Sequence, residues 1–162
     1  MSDTATPKQL LIVALQDLRD AERAWLERLP ELRPKAPDTL AGYIAGELER
    51  SAAQASRLEA LLADFDADDG APNIWLRAIL DDAQRDSETI AMGQLRAIAL
   101  VGAFRKGKQS ERVSYETAIG LAEALRLPDV AAELTQSRDE EARADAALAA
   151  LLAELLSSTQ GT

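Results

Sequence analysis

The 162-residue chain has no cysteine and no histidine. The first absence excludes disulfides, zinc fingers, iron–sulfur centres and a cysteine nucleophile. The second excludes a Ser–His–Asp triad, a histidine base and imidazole ligation of metal or haem. Any metal site must therefore rest on oxygen ligands. Aromatics make up only 4% of the chain and glycine numbers 8. No run approaches the roughly 18 apolar residues of a membrane-spanning helix. The first residues, MSDTATPKQLL, lack the basic-then-apolar pattern of a secretion signal. Basic charge is also short, with 18 Lys and Arg against 28 Asp and Glu, a net −10. That balance argues against a nucleic-acid binder, which must neutralise phosphates. What remains is helical material, since Ala and Leu together number 57. The expectation is a soluble cytoplasmic protein with no nucleic-acid or membrane partner. Its length suits one domain over 1–162, with an ordered core at about 6–157.

Thr6-Pro7 reads as an N-cap and first helical residue. Leu11, Leu15, Leu18, Trp25 and Leu29 follow at helical spacing until Pro30 and Pro34 end or kink the helix. Pro37-Asp38 opens a second helix carrying Leu40, Ile44, Leu58, Leu61 and Phe65. An acidic, turn-rich loop follows at 66–73. A shorter helix over 74–90 has Trp75, Leu76, Ile79 and Leu80 on one side. A third long helix is expected over about 93–126, and a fourth from Leu127-Pro128-Asp129 to about Leu156, with a frayed tail beyond. Four long helices joined by short loops imply an antiparallel up-down bundle with one additional short helix.

Charged residues interrupt the apolar stripes. Glu22 falls between Leu18 and Trp25. Glu47 shares a line with Ile44 and Leu58, with Arg50 at its edge. Lys108 and Glu111 lie between Phe104 and Tyr115, and Glu141 between Leu134 and Leu148, with Asp145 one turn on. Each long helix thus offers an acid near its middle. A lone buried carboxylate costs several kcal/mol, so it must be paired, protonated or metal-bound. Four at one level is the arrangement of a carboxylate-bridged di-metal bundle, although stripe-edge glutamates that reach solvent give the same pattern.

The helices also resemble a known family. DLRDAERAWLERLPEL (17–32) is similar to the first-helix signature of the YciE/YciF ferritin-like stress proteins, roughly D-x-x-x-A-E-K-Q-L-x-x-A-L-P-K. ELERSAAQASRLEALL (47–62) resembles H-L-E-E-T-x-x-Q/H-V-x-R-L-E, and KQSERVSYETAIGLAEAL (108–125) resembles E-H-Y-E-I-A-x-Y-x-T-x-x-x-L-A-x-x-L. LPDVAAELTQSRDEEARADAAL (127–148) resembles L-x-x-A-A-x-L-L-x-x-T-L-x-E-E-K-A-A-D-x-x-L. The resemblance implies a ferritin-like four-helix bundle, usually dimeric, with a di-metal centre and a poorly defined role in stress. By position, Glu22, Glu111, Glu141 and Asp145 match family acids.

The departures exchange charge. A family glutamate becomes Arg50, another becomes Lys108, and the histidines become Glu47 and Gln109. Arg77 likewise stands where the short helix of the family carries Glu. Fixed cations among Glu22, Glu47, Glu111 and Glu141 imply an ion-pair layer in place of metal. The alternatives are a two-metal oxidoreductase or storage site on those acids, or one weak Mn, Fe, Mg or Ca site on the remaining oxygens. A helical adaptor using the basic run Arg105-Lys106-Gly107-Lys108 with Arg112 is a third class of function. The acidic loop from Asp64 lacks the twelfth-position Glu of an EF-hand, where Trp75 stands. The expectation is thus a non-enzymatic, stress-associated structural protein without a resident cofactor. The apolar side of the short helix predicts a homodimer that covers it.

Overall fold

The computed structural model describes residues 4–159. The chain is all-α, and five helices account for nearly all of it: α1 Pro7–Leu32, α2 Ala41–Asp64, α3 Trp75–Thr89, α4 Gln94–Ala124 and α5 Pro128–Thr159. Among the described residues, no helix is long and apolar enough to cross a membrane.

Local chemistry sets the boundaries. Thr6 and Gln9 form a reciprocal capping box at the start of α1, with Pro7 in the first turn. Pro30 was expected to end or kink α1, yet the helix continues to Leu32. Pro30 is exposed and sits in the last turn, where its missing N–H costs a single backbone bond. Short 3₁₀ turns at Arg33–Lys35 and Asp38–Leu40 then carry the chain into α2, which begins later than Pro37-Asp38 suggested. Both α2 and α4 close with a left-handed residue, Asp66 (φ 57°) and Arg126 (φ 58°). In each case the next amide, Ala67 or Leu127, donates to a carbonyl five residues back, Leu62 or Ala122. At the C-terminus, 157–159 are helical rather than frayed, and 160–162 lie outside the described residues.

The helix order departs from a plain up-down path. α1 packs on α2 and α4, and α5 packs on α4 and α2. Between α2 and α4, helix α3 runs alongside α1 in the same direction. Trp75 bonds to Asp17, Arg28 pairs with Asp81, and Lys35 with Glu88. α3 therefore returns the chain to the end where α2 began, and α2 and α4 run parallel across the bundle diagonal. Adjacent long helices remain antiparallel. One crossover connection of this kind characterises ferritin-like bundles.

The interior divides into two apolar clusters. One contains Leu11, Leu15, Leu18, Leu58, Tyr115, Ile119 and Leu134. The other contains Trp25, Leu29, Ile44, Leu76, Leu80, Phe104 and Leu148. Leu76, Leu80 and Ala83 of α3 are fully buried in this second cluster. The chain itself thus covers Leu76 and Leu80 of the face that led to the dimer expectation, while Trp75 and Ile79 stay half-buried.

Candidate functional site

Between the two clusters lies a charged layer. Glu22, Glu47, Lys108, Glu111 and Glu141 are each 0% exposed. Each comes from a helix stripe whose apolar residues, one to three turns away on either side, belong to the cores. Glu22, for instance, follows Leu18 of one cluster and precedes Trp25 of the other. The apolar residues on either side fix the depth of the charge between them.

Lys108 is the hub. Its Nζ lies 2.8 Å from Glu111 Oε2, 2.8 Å from Glu141 Oε2, and pairs with Glu47 Oε1. The same ammonium sits 4.6 Å from the centre of the Trp25 ring, a cation–π contact. Glu47 receives further support from three donors: Arg50 Nη2 at 2.5 Å, the Tyr43 hydroxyl at 3.0 Å and the Ser51 hydroxyl at 3.2 Å. Trp25 Nε1 donates to Glu111 Oε1 at 2.9 Å, and the Tyr115 hydroxyl donates to Glu22 Oε1 at 3.1 Å. Lys108 thus bridges α4 to α2 and α5, while Trp25 and Tyr115 tie α1 to α4.

The close approach of α1 to α4 depends on Gly107. A Cβ at that position would stand 2.6 Å from Trp25 Cζ2 and 3.1 Å from Leu76 Cδ1. The indole can reach Glu111 because α4 presents only hydrogen there.

Four carboxyl groups face two cations, Lys108 and Arg50, so two acids must be neutral for the layer to balance. Burial, with the nearby Glu141 carboxylate second, pushes Glu22 well above the usual carboxylate range. The same two causes push up Glu111. Burial also opposes ionisation of Glu47, but Lys108 and Arg50 outweigh it and hold that carboxylate below its ordinary value. For Lys108, burial opposes the charged form, and the acids around it, Glu141 and Glu47 among them, outweigh it and hold the ammonium charged. Protons on Glu22 and Glu111 make the count neutral. They also supply donors that the layer lacks, because Glu22 Oε2 and Glu141 Oε1 accept no hydrogen bond from the described side chains.

The remaining expected residues divide. Asp145 is brought near but not in. Arg105 engages both its oxygens, at 2.8 and 3.2 Å, and Gln109 donates at 2.7 Å. Arg105 and Gln109 hold the Asp145 carboxyl below its ordinary pKa. Arg50 reaches Glu47 alone among the four layer acids, from the α2 edge, with its side chain 28% exposed. Among the described residues, no group of three or more acidic side chains is arranged to hold a metal ion. The acidic loop is likewise occupied from within: Gln16 binds Asp68, and Arg19 and Arg23 bind Asp69.

The profile of the family described as "Domain of unknown function (DUF892)" matches residues 6–160. The chain belongs to this family. Among solved structures, the E. coli stress protein YciF is 22% identical, with a TM-score of 0.87 over 94% of this chain and 98% of its own. YcfI of Rhodopseudomonas palustris, described as a proposed structural protein, is 25% identical, with a TM-score of 0.84 over 91% of this chain and 95% of its own. No curated protein matches the sequence.

Within this DUF892 bundle, the linear basic run does not form one surface. Arg105 pairs with Asp145, Lys108 is buried, and Arg112 pairs with Glu116. Helical geometry turns successive residues by about 100°, which sends a contiguous run in different directions. The supporting hydroxyls and the indole were not picked out by the stripe analysis as site residues. Their signal lies in the same periodicity: Tyr43 and Ser51 stand four residues to either side of Glu47, and Tyr115 four beyond Glu111.

Proposed function

We propose that this chain is a non-enzymatic structural member of the DUF892 family, associated with stress, in which a fixed ion-pair layer occupies the level of a di-metal centre. The observation that carries the reading is the Lys108 ammonium buried among Glu47, Glu111 and Glu141. An ammonium at that point repels divalent cations and already engages the oxygens that would ligate them. Arg50 takes a second oxygen of Glu47. The residues present therefore do not fit a two-metal centre, and no redox or storage chemistry follows from them. What the layer supplies is registry. Buried charge that must find its partner disfavours sliding of one helix along another. The stress and structural descriptions attached to YciF and YcfI lend support at the level of process.

Elemental analysis of protein purified without chelator, followed by manganese and ferrous-iron titration, tests the reading. The expected result is no stoichiometric metal. Tight one- or two-equivalent binding of either ion overturns it. Replacing both cations, Arg50→Glu with Lys108→Glu, is expected to create divalent-ion affinity. A folded double variant that stays metal-free removes the argument that these two cations exclude metal.

A further inference from the structure

On the outer side of Arg50 lies a cleft of about 330 Å³ between α2 and α5, lined by Tyr43, Arg50, Glu140, Arg143, Ala144 and Ala147. We propose that this cleft binds a small oxyanion, a carboxylate or phosphate group held between the guanidinium groups of Arg50 and Arg143.

The argument starts from which charges are already satisfied. Arg143 is exposed and makes no ion pair or hydrogen bond among the described residues. Arg50 commits Nη2 to Glu47, and its guanidinium carbon lies 5.5 Å from the centre of the Tyr43 ring. Its Nε is buried without an acceptor. The one acid in the lining, Glu140, is taken by Arg57 on both oxygens, with Gln54 donating at 2.9 Å and Gln136 at 3.1 Å. Arg57 and these amides hold Glu140 ionised and turned toward them. Arg143 therefore lines a solvent-open cleft with no anion of its own, and Arg50 shares that cleft with only its Nη2 engaged by a carboxylate. Elsewhere the partly exposed arginines Arg23, Arg28, Arg77 and Arg105 each have a carboxylate partner.

The shape restricts the guest. Ala144 and Ala147 keep the α5 wall low, and the Tyr43 ring backs Arg50 on the α2 side. The volume is at the lower end for ligand pockets, so it suits a few-carbon acid or a free phosphate rather than a nucleotide. A planar carboxylate matches the paired donors of a guanidinium, and a phosphate offers the same oxygens in three dimensions. The site is independent of the metal question. It uses the Arg50 nitrogens other than the Nη2 that the ion-pair layer engages.

Isothermal titration of the full chain at low ionic strength tests the proposal, with inorganic phosphate and succinate as separate probes. One of them, or both, is expected to bind saturably, and the preferred probe identifies the source of the anion. Arg143→Ala is expected to weaken binding at least about tenfold, the usual consequence of removing a charged hydrogen-bond donor. Arg143→Lys is expected to recover part of the loss. The thermal midpoint of Arg143→Ala should stay close to wild type, because Arg143 makes no ion pair or hydrogen bond among the described residues. Failure of both probes to saturate, or equal binding by wild type and Arg143→Ala, overturns the site.

Discussion

Replacing Lys108 with Met tests whether the buried ammonium holds the four helices together. The two side chains are similar in length, so the core keeps its volume and loses only the charge. Lys108 is fully buried and engages three carboxyl groups. Its removal strands the Glu47 carboxylate with Arg50 as its remaining cation. Breaking a buried pair by deleting one partner costs about 3–5 kcal/mol, since the abandoned charge stays desolvated. At about 2–4 °C per kcal/mol for a chain of this size, the thermal midpoint should fall by roughly 6–20 °C at pH 7.5. The loss should shrink toward pH 5, where stranded carboxylates take up protons and no longer need a cation. Adding Glu47→Gln and Glu141→Gln to Lys108→Met should restore much of the midpoint at pH 7.5, as neutral amides need no ammonium. Thermal and urea melts of the single and triple variants at both pH values provide the measurement. A Lys108→Met protein within about 1 kcal/mol of wild type at pH 7.5 would refute the reasoning. So would a loss of equal size at both pH values.

Two further predictions concern backbone positions. Gly107→Ala should destabilise by about 1–3 kcal/mol, because its Cβ meets buried Trp25 and Leu76, whereas Gly102→Ala, with nothing within 4 Å, should stabilise by up to about 1 kcal/mol; parallel thermal melts compare them. Arg126→Gly should raise the midpoint by a few degrees at most, since glycine adopts the left-handed conformation (φ 58°) without the side-chain penalty.

Much of the architecture was legible in the chain because burial imposes period. The apolar stripes of α1, α2, α4 and α5 reveal long helices, and the interruptions at Glu22, Glu47, Lys108, Glu111 and Glu141 reveal a charged level within them. Periodicity along a helix is silent about direction in space. The parallel course of α2 and α4 depends on α3 lying along α1, which is set by tertiary pairs such as Arg28 with Asp81 and Trp75 with Asp17. For the same reason Leu76 and Leu80, two of the four residues behind the dimer expectation, find cover within the chain, while Trp75 and Ile79 stay half-buried. Asp145 shows a finer limit. It lies one turn beyond Glu141 on α5, yet a four-residue step overshoots the full turn by about 40° and climbs about 6 Å along the axis, which delivers it to Arg105 rather than to Lys108.

The protonation of the layer has a direct consequence for stability against pH. Burial, with the Glu141 carboxylate second, raises the pKa values of Glu22 and Glu111 in the fold. Their contribution is complete below the unfolded carboxylate pKa, near 4.5, and declines as pH rises toward the folded values, because only the unfolded chain then releases the protons. The slope is about 1.4 kcal/mol per pH unit for each group. Glu47, with Asp20, Glu140 and Asp145, has a lowered pKa and acts in the opposite sense. Those contributions are complete above about pH 4.5 and disappear as the solution becomes more acid. The two sets meet just above the ordinary carboxylate pKa, so the chain should be most stable near pH 5 and lose stability toward pH 8. Glu22→Gln with Glu111→Gln removes the alkaline side alone. That variant should match wild type near pH 5, exceed it at pH 8 and show a nearly flat profile between. A wild-type chain whose urea midpoint rises steadily from pH 5 to pH 8 would mean that both glutamates are ionised in the fold, leaving four buried carboxylates for two cations.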